Sequence, residues 1–262
     1  MTILHFIWIN MKQDFGRGEF AALFSALDNT TYEIYLHTNL KEDQVHWDPY
    51  LLKQNPRFTI VPTEFVTVYD GVQLIPQHVS DMYRCKIIYE YGGIYSDMDI
   101  LWLKDLPVDL SANKLVASWE NQSYKVVNLG MFAAHKGNDG FLGVIEAIKL
   151  KIKPGMKYLD LFKTVTSFLK SNADHIIPQR WFYLNSFRRL GRAIKANGGV
   201  LNANAACLCY DAKIIPIHFT DVVGFHWFAS MFPFEDVLRV PAVADTFGNL
   251  LNRISQIPKR VL

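Results

Sequence analysis

The sequence predicts an α/β fold built on a mostly parallel sheet. Short apolar, β-branched or aromatic runs alternate along the chain with segments of helical periodicity, and strands separated by helices are the pattern of parallel sheets. The continuous run Leu4-His5-Phe6-Ile7-Trp8-Ile9 also suits a central strand covered on both faces. Composition agrees. The 262 residues are 50% apolar, 14% aromatic and 20% charged, enough to bury a sizeable core and unlike a disordered chain.

In chain order, apolar runs predict strands over Ile3–Ile9, Tyr32–Thr38, Phe58–Val61, Ile94–Leu101, Leu115–Ser118, Val126–Ala134 and Cys207–Ile217. Helical spacing predicts helices over Glu19–Leu27, Gln77–Tyr91, Gly140–Lys151, Tyr158–Lys170 and Ser186–Asn197. Pro76 suits the first turn of the second helix, and Gly198-Gly199 reads as a turn closing the last. At roughly 150 residues per domain, and with no evident linker, the chain reads as one domain, 1–262, with a helical insertion over about 138–200.

Charge excludes some functions. With 27 basic and 25 acidic residues the net charge is +2, which is not the footprint of a nucleic-acid binder. Cys85, Cys207 and Cys209 are too few for a disulfide framework, and Cys-x-Cys is not a zinc-knuckle spacing. They read as buried thiols in a reducing compartment. The N-terminus has no basic n-region or small-residue cleavage site. No run reaches the ~20 apolar residues of a membrane span. The expectation is a soluble, cytoplasmic protein with at most peripheral membrane contact, for instance through the mixed basic and apolar tail Arg253 to Leu262.

The chemistry concentrates in residues 76–101. Val79, Tyr83, Ile87 and Tyr91 recur at helical spacing as a buried stripe. Ser80, Asp81 and Arg84 lie within i,i+3 and i,i+4 of each other beside it. After Gly92-Gly93, Asp97 and Asp99 stand two apart in the predicted strand, so both carboxylates share one face. Two such carboxylates repel each other at the end of an apolar strand, and a hard divalent cation, Mg²⁺ or Mn²⁺, removes the penalty. An ion held by few protein ligands keeps positions open for a diphosphate and stabilises the charge of a departing nucleoside diphosphate.

The stretch Ser80-Asp-x-x-Arg84 … Tyr91-Gly-Gly-Ile-Tyr95-x-Asp97-x-Asp99 strongly resembles the glycosyltransferase family with a DXD-containing sugar-binding region. That family includes fungal initiating mannosyltransferases and bacterial polysaccharide transferases and is distantly similar to the glucosylating toxins. Weaker likenesses are His5-Phe-Ile-Trp8, Asn128 to His135, and Gly224-Phe-His226-Trp-Phe-Ala-Ser230. The resemblance implies a GT-A type, Rossmann-like sheet that binds a nucleotide-sugar at the carboxyl ends of its strands. It implies metal ligation by Asp97, Asp99 and His226, with Asp97 also near the donor ribose. Trp8 would wall in the nucleobase, with Ile9 and Asn10 beside it. Asp81 and Arg84 would hold the transferred sugar, Arg84 also assisting the diphosphate, with Ser80 and Tyr95 in the donor site and Asn128 near sugar and acceptor. Asp81, Arg84 and Asp99 are the catalytic candidates. The implied activity is a metal-dependent, retaining transfer from a UDP-hexose or GDP-mannose to a saccharide hydroxyl, in polysaccharide or oligosaccharide synthesis.

Asn10 replaces the family's usual glycine, and Met231 stands where a tryptophan is frequent, which leaves His218 as the alternative to His226. Two other functions compete: an effector that glycosylates a protein side chain, and a non-catalytic nucleotide-sugar or glycan binder. An Asp-based phosphotransferase is disfavoured, because Gly92-Gly93 follows a helix instead of preceding one. Outside the motif, His5 reads as a satisfied core histidine. Trp181-Phe182-Tyr183 reads as packing or an acceptor wall, and Glu120 and Asn121 as acceptor-side candidates.

Overall fold

The computed structural model describes residues 2–11, 15–41, 49–157, 159–182, 222–227, 229, 233–237 and 239. The predicted helix Ser186–Asn197, the strand Cys207–Ile217, Cys207, Cys209, His218 and the tail lie outside the described residues.

Seven strands form the main sheet: β1 (Ile3–Trp8), β2 (Glu33–Thr38), β3 (Phe58–Pro62), β6 (Gly93–Ser96), β8 (Leu115–Asn121), β9 (Val126–Ala134) and β10 (His175–Ile177), in the order β10-β8-β9-β6-β1-β2-β3. The pairs β1–β2, β1–β6, β2–β3 and β8–β10 are parallel, and only β9 runs against its neighbours. This is the mixed α/β, Rossmann-like architecture of the GT-A type that the alternation and the resemblance predict.

Strand alternation sorts the core into two layers. From β1, Leu4, Phe6 and Trp8 face helix α1 (Arg17–Asn29), while Ile7, and Ile9 just after the strand, face α2 (Pro76–Tyr91). The α2 side also receives α3 (Gly140–Lys149) and α4 (Leu159–Asn172) through Phe141, Val144, Ile148, Leu161, Val165 and Leu169. These positions recur every three or four residues, as one face of a helix must. Both faces of the sheet are covered, so β1 is apolar along its length. Cys85 is buried in the α2 layer, and burial pushes its thiol up.

His5 is the polar residue inside this run. Its Nε2 lies 2.9 Å from the Gly92 carbonyl and must donate to it, so its Nδ1 accepts from His37 Nε2 at 3.0 Å. The pair is buried and satisfied, and it ties β1 and β2 to the end of α2. Gly92 and Gly93 adopt positive φ of 70° and 94°. A Cβ on Gly92 would sit 2.5 Å from the Lys136 nitrogen, and one on Gly93 would collide with the Ile3 carbonyl. The glycines therefore let α2 turn directly into β6 against the edge of β1.

Three details depart from the sequence expectation. The predicted strand Ile94–Leu101 is broken into β6 and β7 (Ile100–Trp102), which belong to different sheets. Asp97 and Asp99 lie in the turn between them, closed by Ile100 N–H donating to Asp97 O at 3.3 Å; aspartate favours such turns. Tyr91 is 40% exposed instead of buried. In the last turn of α2 its ring closes over His5 and His37 and leaves its outer face in solvent. A hairpin, β4 (Val68–Tyr69) with β5 (Val72–Gln73), turns at Asp70-Gly71, both with positive φ, the backbone a tight Asp-Gly hairpin needs.

Candidate active site

The candidate site lies at the carboxyl end of β6, the edge where open α/β sheets bind ligands. Two structural devices build it. One is the turn Asp97–Asp99. The other is a two-stranded antiparallel ribbon in which β11 (Gly224–His226) pairs with β7, setting His226 opposite Ile100. The ribbon carries a residue more than a hundred positions away onto the acidic turn. His226 Nε2 lies 3.1 Å from Asp99 Oδ1. The Trp227 N–H donates to Asp99 O at 3.1 Å and the Ala229 N–H to Asp99 Oδ2 at 2.9 Å. Asp97, Asp99 and His226 each offer one ligand atom, and these atoms lie within 4.8 Å of one another. Two carboxylate oxygens and an imidazole nitrogen are donors that a divalent cation can use. Burial raises Asp99, but His226 and the Ala229 N–H outweigh it and hold the carboxyl below its ordinary value. Burial opposes a charge on His226 in turn, and Asp99 overcomes that and holds the imidazole above its ordinary value.

Behind the turn stands the Arg84 guanidinium, 6% exposed. It pairs with Asp81 Oδ1 and Asp97 Oδ1, each at 3.3 Å. It donates to the Leu129 carbonyl at 2.9 Å, to Ser80 O at 3.3 Å and to Ser80 Oγ at 3.1 Å, and lies 4.6 Å over the Tyr95 ring. Burial works against this cation, but Tyr95, Asp97 and Asp81 raise it above its ordinary value. Burial pushes Asp81 up to about 7, with Arg84 pulling the other way and Asp97 adding repulsion. The Tyr95 hydroxyl donates to Asp97 Oδ1 at 2.6 Å. Ser80, Asp81, Arg84, Tyr95 and Asp97 thus form one connected polar group, and Asp97 joins it to the candidate metal-ligand cluster.

The other sequence candidates frame this group. Trp8 ends β1 and packs edge-on against Phe15 at 5.3 Å, inside the α1-side core. Ile9 is buried on the other side of the sheet. The Asn10 N–H donates to Asn39 Oδ1 at 2.7 Å, tying the loops after β1 and β2. Asn128 is buried on β9 and donates from Nδ2 to Glu120 Oε2 at 3.0 Å.

Sequence reasoning missed the contribution of the β9 backbone. Pairing of β8 with β9 is regular to Ala117↔Phe132 and resumes at Ser118↔Asn128. Leu129, Gly130 and Met131 therefore bulge out of the β8 ladder. The Leu129 carbonyl takes Arg84, and the Gly130 carbonyl takes the Asp97 N–H at 2.7 Å. Bulges of this kind re-aim groups beside active sites. Gly130 inside a strand pattern is the signal that could have revealed it.

With this geometry established, the likeness to known proteins takes on a location. Residues 22–133 match the family described as "Glycosyltransferase sugar-binding region containing DXD motif". That segment is similar to a glycosyltransferase sugar-binding region. The matched segment runs from within α1 into the last residues of β9 and includes both aspartates, Arg84 and the bulge, while His226 comes from outside it.

Solved structures show the same fold. The apo-form glycosyltransferase GlyE of Streptococcus pneumoniae TIGR4 is 12% identical with a TM-score of 0.58, over 99% of this chain and 65% of that one. The galactosyltransferase LgtC, in complex with donor and acceptor sugar analogues, is 12% identical with a TM-score of 0.54, over 98% of this chain and 97% of that one. This chain thus spans just under two thirds of GlyE. No curated protein sequence matches the chain. Among the described residues, no helix is long and apolar enough to cross a membrane.

Proposed function

We propose that this protein is a glycosyltransferase that moves a sugar, with retention of configuration, from a nucleoside diphosphate donor to a saccharide hydroxyl, in polysaccharide or oligosaccharide synthesis. The observation that carries the reading is the convergence of Asp97, Asp99 and His226 at the carboxyl end of β6, in and beside a matched sugar-binding region. A UDP-hexose or GDP-mannose fits this reading, as does a single catalytic domain over 1–262 with a helical insertion near 138–200.

In this reading Asp97, Asp99 and His226 would hold Mn²⁺ or Mg²⁺. The bound ion supplies charge neutralisation for the departing diphosphate. The protein's own groups do the rest. Arg84 and the Tyr95 hydroxyl hold Asp97 in place, so the ligand is preorganised before the donor arrives. Asp81 and Ser80 stand with Arg84 at the sugar end. Trp8 at the end of β1, followed by Ile9 and Asn10, stands beside the nucleoside, and Asn128 on the acceptor side. The acceptor hydroxyl attacks the anomeric carbon from the face of the leaving diphosphate. The C–O bond to the phosphate breaks as the new glycosidic bond forms, and the hydroxyl proton passes to the leaving phosphate oxygen.

The test is a donor screen by released nucleoside diphosphate, with Mn²⁺ and with chelator, followed by the anomeric configuration of the product. Metal-dependent release that Asp97→Ala and Asp99→Ala both abolish supports the reading. Equal turnover by all three proteins contradicts it.

A further inference from the structure

Glu120 stands near the end of β8, outside the three-residue ligand cluster, yet a continuous chain of hydrogen bonds runs from it into that cluster. Its Oε2 accepts from Asn128 Nδ2 at 3.0 Å. Asn128 Oδ1 accepts from the Gly130 N–H at 2.5 Å. The Gly130 carbonyl accepts the Asp97 N–H at 2.7 Å, and the neighbouring Leu129 carbonyl accepts Arg84 at 2.9 Å.

Each link constrains the next. A primary amide has one acceptor end and one donor end. With its oxygen on the Gly130 N–H, Asn128 must turn its nitrogen toward an acceptor, and the Glu120 carboxylate is that acceptor. Reversing the amide would set a donor against the Gly130 N–H and an oxygen against the carboxylate, losing both bonds. Leu129, Gly130 and Met131 have no register partner on β8; Ser96 of β6 holds Met131, and the Asn128 side chain holds the Gly130 N–H.

We propose that Glu120 is a positioning residue for the metal and donor site. It fixes the orientation of the Asn128 amide, which shapes the β9 bulge, which in turn aims two carbonyls at Arg84 and at the backbone of Asp97. The proposal rests on the functional reading above for its consequence and on the hydrogen-bond chain for its existence.

The experiment compares wild type, Glu120→Ala and Glu120→Gln in the full-length protein. Two quantities are read: Mn²⁺ affinity by titration with the metal alone, and amide hydrogen exchange at Gly130 and Asp97. Glutamine keeps an oxygen that accepts from Asn128, so amide exchange in Glu120→Gln stays within about threefold of wild type, the span of one retained neutral hydrogen bond. Glu120→Ala weakens Mn²⁺ binding about tenfold, the usual cost of losing such an outer support, and speeds exchange at both amides. The corresponding loss in donor turnover falls mainly on the Mn²⁺ requirement, and Asn128→Ala combined with Glu120→Ala is no worse than Asn128→Ala alone.

Unchanged exchange in Glu120→Ala overturns the proposal. So does exchange in Glu120→Gln as fast as in Glu120→Ala, because the retained acceptor would then not hold the Asn128 amide. If wild type fails to bind Mn²⁺ while exchange responds as described, the positioning role stands and the metal reading fails. These two failures are therefore distinguishable.

Discussion

The Arg84 guanidinium donates to the Leu129 carbonyl at 2.9 Å while pairing with Asp97 at 3.3 Å. One side chain of α2 thereby clamps the bulge of β9 to the acidic turn after β6. A buried cation with two carboxylate partners and three oxygen acceptors is a unit that cannot lose its centre cheaply. Removing one member of a buried ion pair leaves an uncompensated charge, at a cost of about 3–5 kcal/mol. Arg84→Ala is expected to destabilise the protein by that amount in urea unfolding and to abolish donor turnover. Arg84→Lys keeps the charge but loses the planar fork, and is expected to recover less than half of the lost stability.

The Tyr95 hydroxyl reaches Asp97 Oδ1 at 2.6 Å from a fully packed position. Tyr95→Phe deletes this one donor without changing the ring that stacks on Arg84. Stability should fall by about 1 kcal/mol. The Mn²⁺ concentration for half-maximal turnover should rise several-fold with little change in kcat at saturating metal. A fall in kcat at saturating Mn²⁺ instead would assign the hydroxyl a role in the transfer itself.

Gly93 adopts a φ of 94° with no room for a side chain beside the Ile3 carbonyl. Gly93→Ala is expected to cost at least about 2 kcal/mol, since a strained φ alone costs 1–3 kcal/mol. Gly71, at a φ of 76° with open space around it, pays only the backbone strain when changed to alanine. Thermal melts of the two variants should separate these terms, with Gly93→Ala melting lower.

The His5–His37 pair makes stability depend on pH. Burial lowers His5 to about 4 and, with the added repulsion of His5, lowers His37 to about 3. Both are neutral in the folded protein near pH 6, while the unfolded chain binds protons below about 6.5. The unfolded state therefore binds more protons than the folded one between about pH 6.5 and 3, and stability falls as pH drops through that window. His37→Gln should flatten this part of the pH–stability curve. An unchanged slope would show that other groups produce it.

Much of this architecture is legible in the sequence, for local physical reasons. The apolar run of β1, the Pro76 start of α2 and the pair Gly92-Gly93 each dictate their own conformation, and Val126–Ala134 is a strand over the range its pattern predicts. The proximity of Asp97 and Asp99 was also readable, though by the wrong route: they meet in a turn, not on one face of a strand. What was not legible depends on distant partners. His226 is indicated by the resemblance alone, since it reaches Asp99 through a ribbon of three-residue strands too short to carry a periodic signal. The Leu129 and Gly130 carbonyls serve the site as backbone, which residue identity does not encode. Glu120 and Asn128 read as acceptor-side polar groups, and only the register shift between β8 and β9 shows what they hold.

The central claim is that Asp97, Asp99 and His226 form one divalent-cation site that serves donor turnover. It is tested most directly by titrating Mn²⁺ into wild type, Asp99→Asn and His226→Ala and following the free ion. The account predicts one equivalent of Mn²⁺ bound by wild type, binding at least about tenfold weaker in each variant, as loss of a ligand entails, and parallel losses of turnover. Wild-type affinity in both variants, or donor turnover undiminished in chelator, would contradict it.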